Sequence, residues 1–205
     1  MKGTKQLDQF LDRGRATAER TLGAEEAARL PSLARARLGP REGAAPRVRD
    51  RVNQGLFATV IPLLALYQAL RGDLELAEGV ALHLTEAMLR ASFMVNFSPL
   101  KRAAFSLGLD FVPLRNLLLR RSMRLDEPGG FQFEAADLGS AEFGFDVRRC
   151  PITEYARAQG APEIVPVICR LDDAMAAHLK HLRLERSGTL GGGAERCDFR
   201  YYRKG

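Results

Sequence analysis

Apolar positions in this chain recur first at helical spacing and then, in the last third, by alternation. Leu7, Phe10 and Leu11 predict a helix over residues 5–22, and an Ala- and Arg-rich stretch predicts another over residues 24–38. Residues 39–50 read GPREGAAPRVRD, and two Gly and two Pro there predict a loop. The first fifty residues therefore form either a loosely held helical arm, as termini often do, or two ordinary packed helices. Leu56, Phe57, Val60, Ile61 and Leu64 mark a third helix. Leu76, Val80, Leu84, Met88 and Leu89 form one broad apolar face on a fourth, over residues 74–95. Ser98 followed by Pro99 starts the next helix, with a hydroxyl to cap free N–H groups and a ring that fits the first turn. Residues 113–123 predict a further short helix whose closing Arg residues suit the negative end of the helix dipole.

The period changes after Asp126. Pro128-Gly129-Gly130 is a turn, residues 131–134 and 142–147 alternate as strands, and residues 137–140 connect them. Residues 152–159 predict a short helix ended by Gly160, and residues 162–179 a longer one, although residues 165–169 alone would pass as a strand. Residues 182–185 and 197–202 alternate again, joined through Gly191-Gly192-Gly193. Helices followed by strands predict the α+β class: an N-terminal helical block, then a small antiparallel sheet with two inserted helices. The expected organisation is a helical N-terminal arm over residues 1–50 and a single α+β domain over residues 51–205.

Composition narrows the partners. An apolar share of 46% supports a real core. The formal net charge is +6, yet the Arg residues are scattered among Asp and Glu, Trp is absent, and no basic stripe or nucleic-acid motif occurs. A small molecule is the expected partner and nucleic acid is not. The longest apolar run, residues 56–70, contains Pro62 and Gln68 and falls short of the roughly 20 residues a bilayer requires, so a buried helix is expected there and no integral membrane segment. The N-terminal residues MKGTKQLDQFLDRG have no apolar signal core, and three Cys make an odd count. Both observations point to reduced thiols in a cytoplasmic compartment, without a structural disulfide.

Candidate chemistry gathers in the last third. Cys150, Cys169 and Cys197 each read as a small buried hydrophobe or as a nucleophile. Arg148 and Arg149 precede Cys150, and Arg196 precedes Cys197, which on a strand would share a face with Phe199 and Tyr201. Together the three thiols would also suit Zn²⁺ or an iron–sulfur cluster, with Asp172, Asp173, His178 or His181 as spare ligands, but no C-x-x-C pair exists. His178 and His181, three apart on one predicted helix, read as a general base or as a solvated helix end. His83, between Leu82 and Leu84, reads as a hydrogen-bonded core histidine. Asp172 and Asp173 offer a general base, and a buried carboxylate there would need a cation, for which Arg186 is the natural candidate. The planar fork of Arg186 equally suits a substrate carboxylate. Residues 189–193 lack the phosphate-binding G-x-x-x-x-G-K and read as a Gly-rich turn whose backbone can line a pocket.

The ordered set Cys150-Pro151, Gly160-Ala161-Pro162-Glu163, Cys169, Asp172-Asp173, Arg186, Thr189-Leu190, Gly193 and Cys197-Asp198-Phe199 resembles the L-2-amino-thiazoline-4-carboxylic acid hydrolase family, over residues 149–202. That resemblance implies opening of a small carboxylated heterocycle at its amidine-type carbon, giving N-carbamoyl-cysteine from the named substrate. The expected catalytic residues are Cys169, Asp172 and Cys197, with Cys169 attacking or positioning the water. Arg186, Thr189 and Gly193 are expected to bind substrate, and the backbone of residues 191–193 to stabilise the tetrahedral intermediate. No cofactor is assigned; a zinc or cluster site on Cys150, Cys169 and Cys197 stays open. So does a sensor module, apolar helices on a small sheet that bind a ligand without turnover.

Overall fold

The computed structural model describes residues 2–96, 98–124 and 127–205, so the changeover expected after Asp126 lies outside the described residues. Six helices come first: α1 Lys2–Leu22, α2 Ala24–Ala44, α3 Arg51–Gln68, α4 Glu78–Asn96, α5 Pro99–Asp110 and α6 Val112–Ser122. They are followed by β1 Gln132–Ala135, β2 Phe143–Arg149, α7 Pro151–Ala158, α8 Val165–Ala176, β3 Leu182–Glu185 and β4 Cys197–Arg203. The strands form one antiparallel sheet in the order β1-β2-β4-β3. This is the expected α+β architecture, with α7 and α8 as the two inserted helices.

The first two helices are an ordinary packed pair. Leu7, Phe10, Leu11 and Ala18 on α1, and Leu30, Ala34 and Leu38 on α2, lie in the same core as α3 and α4. These positions repeat every three or four residues, so each helix buries one stripe. Gly14 lets α1 approach α4 closely, because a Cβ there would stand 2.3 Å from Met88 Cγ. The loop expected over residues 39–50 is shorter than its Gly-Pro signal suggests. Helix α2 runs through Pro40 to Ala44. Tertiary bonds hold its last turns: Arg37 Nε and Nη2 donate to Asp73 at 2.5 and 2.7 Å, and the Arg41 carbonyl accepts the Tyr155 hydroxyl at 2.7 Å. These bonds offset the N–H that Pro40 removes from the helix.

Helix α3 continues through a π-helical turn, Ala69–Asp73, and Asn53–Asp73 is long and apolar enough to cross a membrane. Most of that run is enclosed by protein, with Leu63, Leu64, Leu66 and Leu70 fully buried. Residues 74–77, expected to be helical, are not; α4 begins at Glu78. Its core face is Leu84, Met88 and Leu89, whereas His83, expected in the core, is exposed, because it falls on the opposite side of the helix. Ser98 caps α5 as expected, accepting the N–H of Lys101.

The sheet is knit by cross-strand aromatics, a recurrent source of sheet stability. Phe143 stacks on Tyr201 at 4.4 Å and Phe145 on Phe199 at 4.7 Å, each a register pair of β2 and β4. Residues 165–169 are helical, not extended. Val165 and Val167 bury against the core from the first turn of α8. Arg170 of α8 pairs with Glu86 of α4, tying the inserted helix to the helical layer.

Candidate functional site

The seam between α8 and the β3–β4 edge concentrates the charged groups. Cys169, Asp172 and Asp173 stand at i, i+3 and i+4 on α8, so they share a face. Arg186 follows the last residue of β3 and reaches back to all three. Its Nη1 donates to Asp172 Oδ2 at 3.0 Å, and its Nη2 donates to Asp173 Oδ1 at 2.6 Å and to the Cys169 carbonyl at 3.2 Å. The guanidinium also lies 5.0 Å over the Phe199 ring. Only 9% of the Arg186 side chain is exposed, against 36% of Asp172 and 58% of Asp173. One cation thus faces two carboxylates.

That imbalance shapes the titration. Burial pushes the Asp172 carboxyl up to about 6; the neighbouring Asp173 adds to the rise and Arg186 opposes it. The Cys169 thiol is pushed up to about 12, by burial first and then by the charge of Asp172 and the other two sulfurs. Cys169 is therefore a neutral thiol near pH 7, although Arg186 pulls the other way. Burial raises Cys150 and Cys197 as well. Cys197 Sγ accepts the N–H of Leu190 at 3.2 Å, which makes it an anchor for the loop.

The loop after Arg186 is held from β4. Asp198 accepts both the Ser187 N–H (3.0 and 3.1 Å) and the Gly188 N–H (2.9 Å), and the Ser187 hydroxyl at 2.6 Å. Burial opposes ionisation of Asp198, but these bonds outweigh it and hold its carboxyl below the ordinary range. Thr189 Oγ1 accepts the Gly192 N–H at 3.0 Å, and Gly193 closes the turn at φ 91°, a left-handed value that favours glycine. Gly191 lets the loop lie on α8: a Cβ there would stand 2.5 Å from Val165 Cγ1 and 3.2 Å from Cys169 Sγ.

An open cleft of about 820 Å³ runs along this seam, lined by Asp173, Leu184, Glu185, Arg186, Ser187, Gly188, Thr189, Gly192 and Ala194. Of the residues expected to bind substrate, Arg186 and Thr189 line it; Gly193, exposed at the end of the turn, is not part of the wall, and Gly192 is. Cys169 and Asp172 sit one contact behind, through Arg186, and Cys197 lies under the loop. The Gly192 and Gly193 N–H groups donate to the Thr189 and Leu190 carbonyls at 2.9 and 3.3 Å, so two of the three donors expected over residues 191–193 to face an intermediate are committed to the turn. His178 and His181 do not share a helix, because α8 ends at Ala176. All three Cys are free thiols, and among the described residues no group of three or more His, Cys, Asp or Glu side chains is arranged to hold a metal ion. The thiol-rich zinc or cluster alternative thus lacks a donor set.

Sequence reasoning missed the roles of Asp198, Phe199 and Tyr201. Asp198 clamps the loop, Phe199 floors Arg186, and Tyr201 feels the charges of Asp172, Asp173 and Arg186. Asp198 and Phe199 stood within the stretch that carries the family resemblance, but nothing there pointed to a clamp or a floor, and for Tyr201 the signal was the alternation of β4, which reads as packing.

These features define a small α+β protein with a carboxylate–guanidinium cluster beside an open cleft at a sheet edge. The family model of L-2-amino-thiazoline-4-carboxylic acid hydrolase matches residues 55–201, and the chain belongs to that family. The match takes in α4, α5, α6 and most of α3 as well as the C-terminal stretch that carried the resemblance. No curated protein and no solved structure matches the chain.

Proposed function

We propose that the protein is a hydrolase that opens a small carboxylated ring at its amidine-type carbon, with 2-amino-thiazoline-4-carboxylate as the reference substrate. The family membership supports the reaction class. The observation that carries the mechanism is Asp172, a carboxyl raised to about 6 and bonded to the arginine that lines the cleft. A base is most effective when its pKa lies close to the working pH.

Arg186 binds the substrate carboxylate by exchanging it for Asp173, the more exposed of its two partners, so the charge around the guanidinium is unchanged. Asp172 stands behind Arg186 but is 36% exposed, so water reaches its carboxyl; Asp172 takes a proton from that water, and the water oxygen bonds to the ring carbon between nitrogen and sulfur. The C–S bond then breaks, the departing sulfur takes the proton from Asp172, and the hydroxyl proton on the new oxygen passes to the ring nitrogen, which leaves the carbamoyl C=O. One water is consumed, and the product is the open-chain N-carbamoyl thiol. Cys169, being a neutral thiol set behind Arg186, is not the attacking group in this reading; its carbonyl accepts Arg186 Nη2 and helps to fix the guanidinium.

Turnover of L-2-amino-thiazoline-4-carboxylate, followed by thiol release, tests this reading in the wild type, Asp172→Asn, Arg186→Ala and Cys169→Ser. Loss of activity in the first two variants and its retention in the third is the expected pattern. An inactive Cys169→Ser would restore the thiolate as nucleophile. The occupied Arg186 and raised thiols also suit a binding module. Calorimetric binding of the substrate to a wild type that shows no turnover would favour that second reading.

A further inference from the structure

We infer that the α5–α6 hairpin is a docking surface for an anionic membrane. One side of the hairpin is settled on the sheet. Phe105, Leu109 and Leu119 pack against a small cluster of Phe143, Leu179 and Leu182. Arg115, 5% exposed, lies 4.5 Å over the Phe143 ring, and Ser106 Oγ accepts the Lys180 N–H at 3.0 Å.

The other side is apolar and open. Leu100, Leu107, Phe111, Leu114, Leu117 and Leu118 are between 39% and 80% exposed. Isolated surface leucines require no explanation, but six exposed large apolar side chains on two consecutive helices do. Leu114, Leu117 and Leu118 follow the i, i+3, i+4 spacing of one stripe, opposite the Arg115–Leu119 stripe that faces the sheet.

Charge selects the occupant. Residues 99–124 hold six Lys and Arg side chains against one carboxylate, Asp110; with Arg115 buried against the sheet and paired with Glu142, five cations remain against Asp110, a net +4. Arg120, Arg121 and Arg124 are exposed at the end of the Leu114–Leu118 stripe, and Lys101 is exposed beside Leu100. Leucines and a phenylalanine bordered by arginines are the composition of helices that lie in the interface of anionic bilayers. A second copy of this chain on the same face would oppose like charges, which disfavours self-association.

The test is flotation of the full-length protein with vesicles of phosphatidylcholine alone and of phosphatidylcholine mixed with phosphatidylglycerol. Binding is expected to the mixed vesicles only, and to fall as salt rises. Arg120→Glu/Arg121→Glu and Leu107→Ser/Leu117→Ser should each weaken it more than about tenfold. The chain contains no Trp, so Leu117→Trp supplies a single reporter in an otherwise unchanged protein. Its emission should shift to the blue on mixed vesicles, and that of Glu25→Trp on α2 should not. Equal binding by all variants, a Leu117→Trp signal that does not respond to mixed vesicles, or a concentration-dependent dimer abolished by Leu107→Ser/Leu117→Ser without vesicle binding would each overturn the proposal. So would capture by an acidic polypeptide such as polyglutamate with no binding to mixed vesicles.

Discussion

The α1–α4 layer and the α8–β4 seam both withdraw side chains from water, but they do so with opposite chemistry. In the helical layer the largest fully buried side chains are Tyr67 and Phe10 followed by a run of Leu and Met, among them Leu63, Leu64, Leu66, Leu84 and Met88, which gain stability in proportion to the apolar area removed from water. In the seam, a buried Arg186 side chain and the half-buried Asp172 and Cys169 are held where burial costs stability and shifts titration. One region supplies the free energy of folding. The other uses part of it to keep a carboxyl poised and an arginine fixed, a common trade at functional sites.

That contrast breaks most sharply at Asp172. Asp172→Asn is expected to lower kcat for the ring substrate by about 10²–10⁴-fold while leaving the melting temperature unchanged or higher. The wild-type rate should fall on the acid side with an apparent pKa near 6, and the variant should lose that limb. Because the folded-state pKa lies above the ordinary carboxyl value, the folded protein holds a proton that the unfolded chain releases between about 4 and 6. Stability conferred by that proton is therefore lost as pH rises through this window. Urea unfolding of both proteins at pH 4 and pH 7 checks the sign: the variant should gain on the wild type as pH rises.

The mirror experiment is in the helical layer. Leu64→Ala should cost about 2–5 kcal/mol of stability, through lost burial and the cavity left behind, and should leave kcat unchanged at temperatures where the protein is folded. A large kcat effect with little change in stability would show that the two regions are not separable in this way.

Arg186 belongs to both regimes. Arg186→Lys keeps the charge but loses the planar fork, so it should cost about 1.5–3 kcal/mol of stability and raise KM more than it lowers kcat. The smallest effect is expected at Cys169. Its thiol stays protonated at pH 8, so Cys169→Ser should leave kcat within a few-fold, and iodoacetamide should label the thiol slowly.

The hydrophobic period was enough to find the helices, the four alternating strands and the α+β class, because each element must bury one face whatever its neighbours are. The Ser98-Pro99 start and the Gly160 stop were legible for the same local reason. The grouping of Cys169, Asp172 and Arg186 was also within reach, since an i, i+3 spacing on α8 and one strand connection bring the three together. What the chain alone could not decide was anything set by long-range packing. Helix α2 passes through Pro40 because Asp73 and Tyr155 hold its end. His83 turns outward although its sequence neighbours are apolar. The N–H groups of Gly192 and Gly193 are spent inside their own turn, and Cys197 serves the loop because Leu190 folds onto it. Local pattern determines which faces are apolar. Only the assembled structure determines how much water remains at each polar atom, and that residual water sets the pKa values and the open cleft on which the proposed chemistry depends.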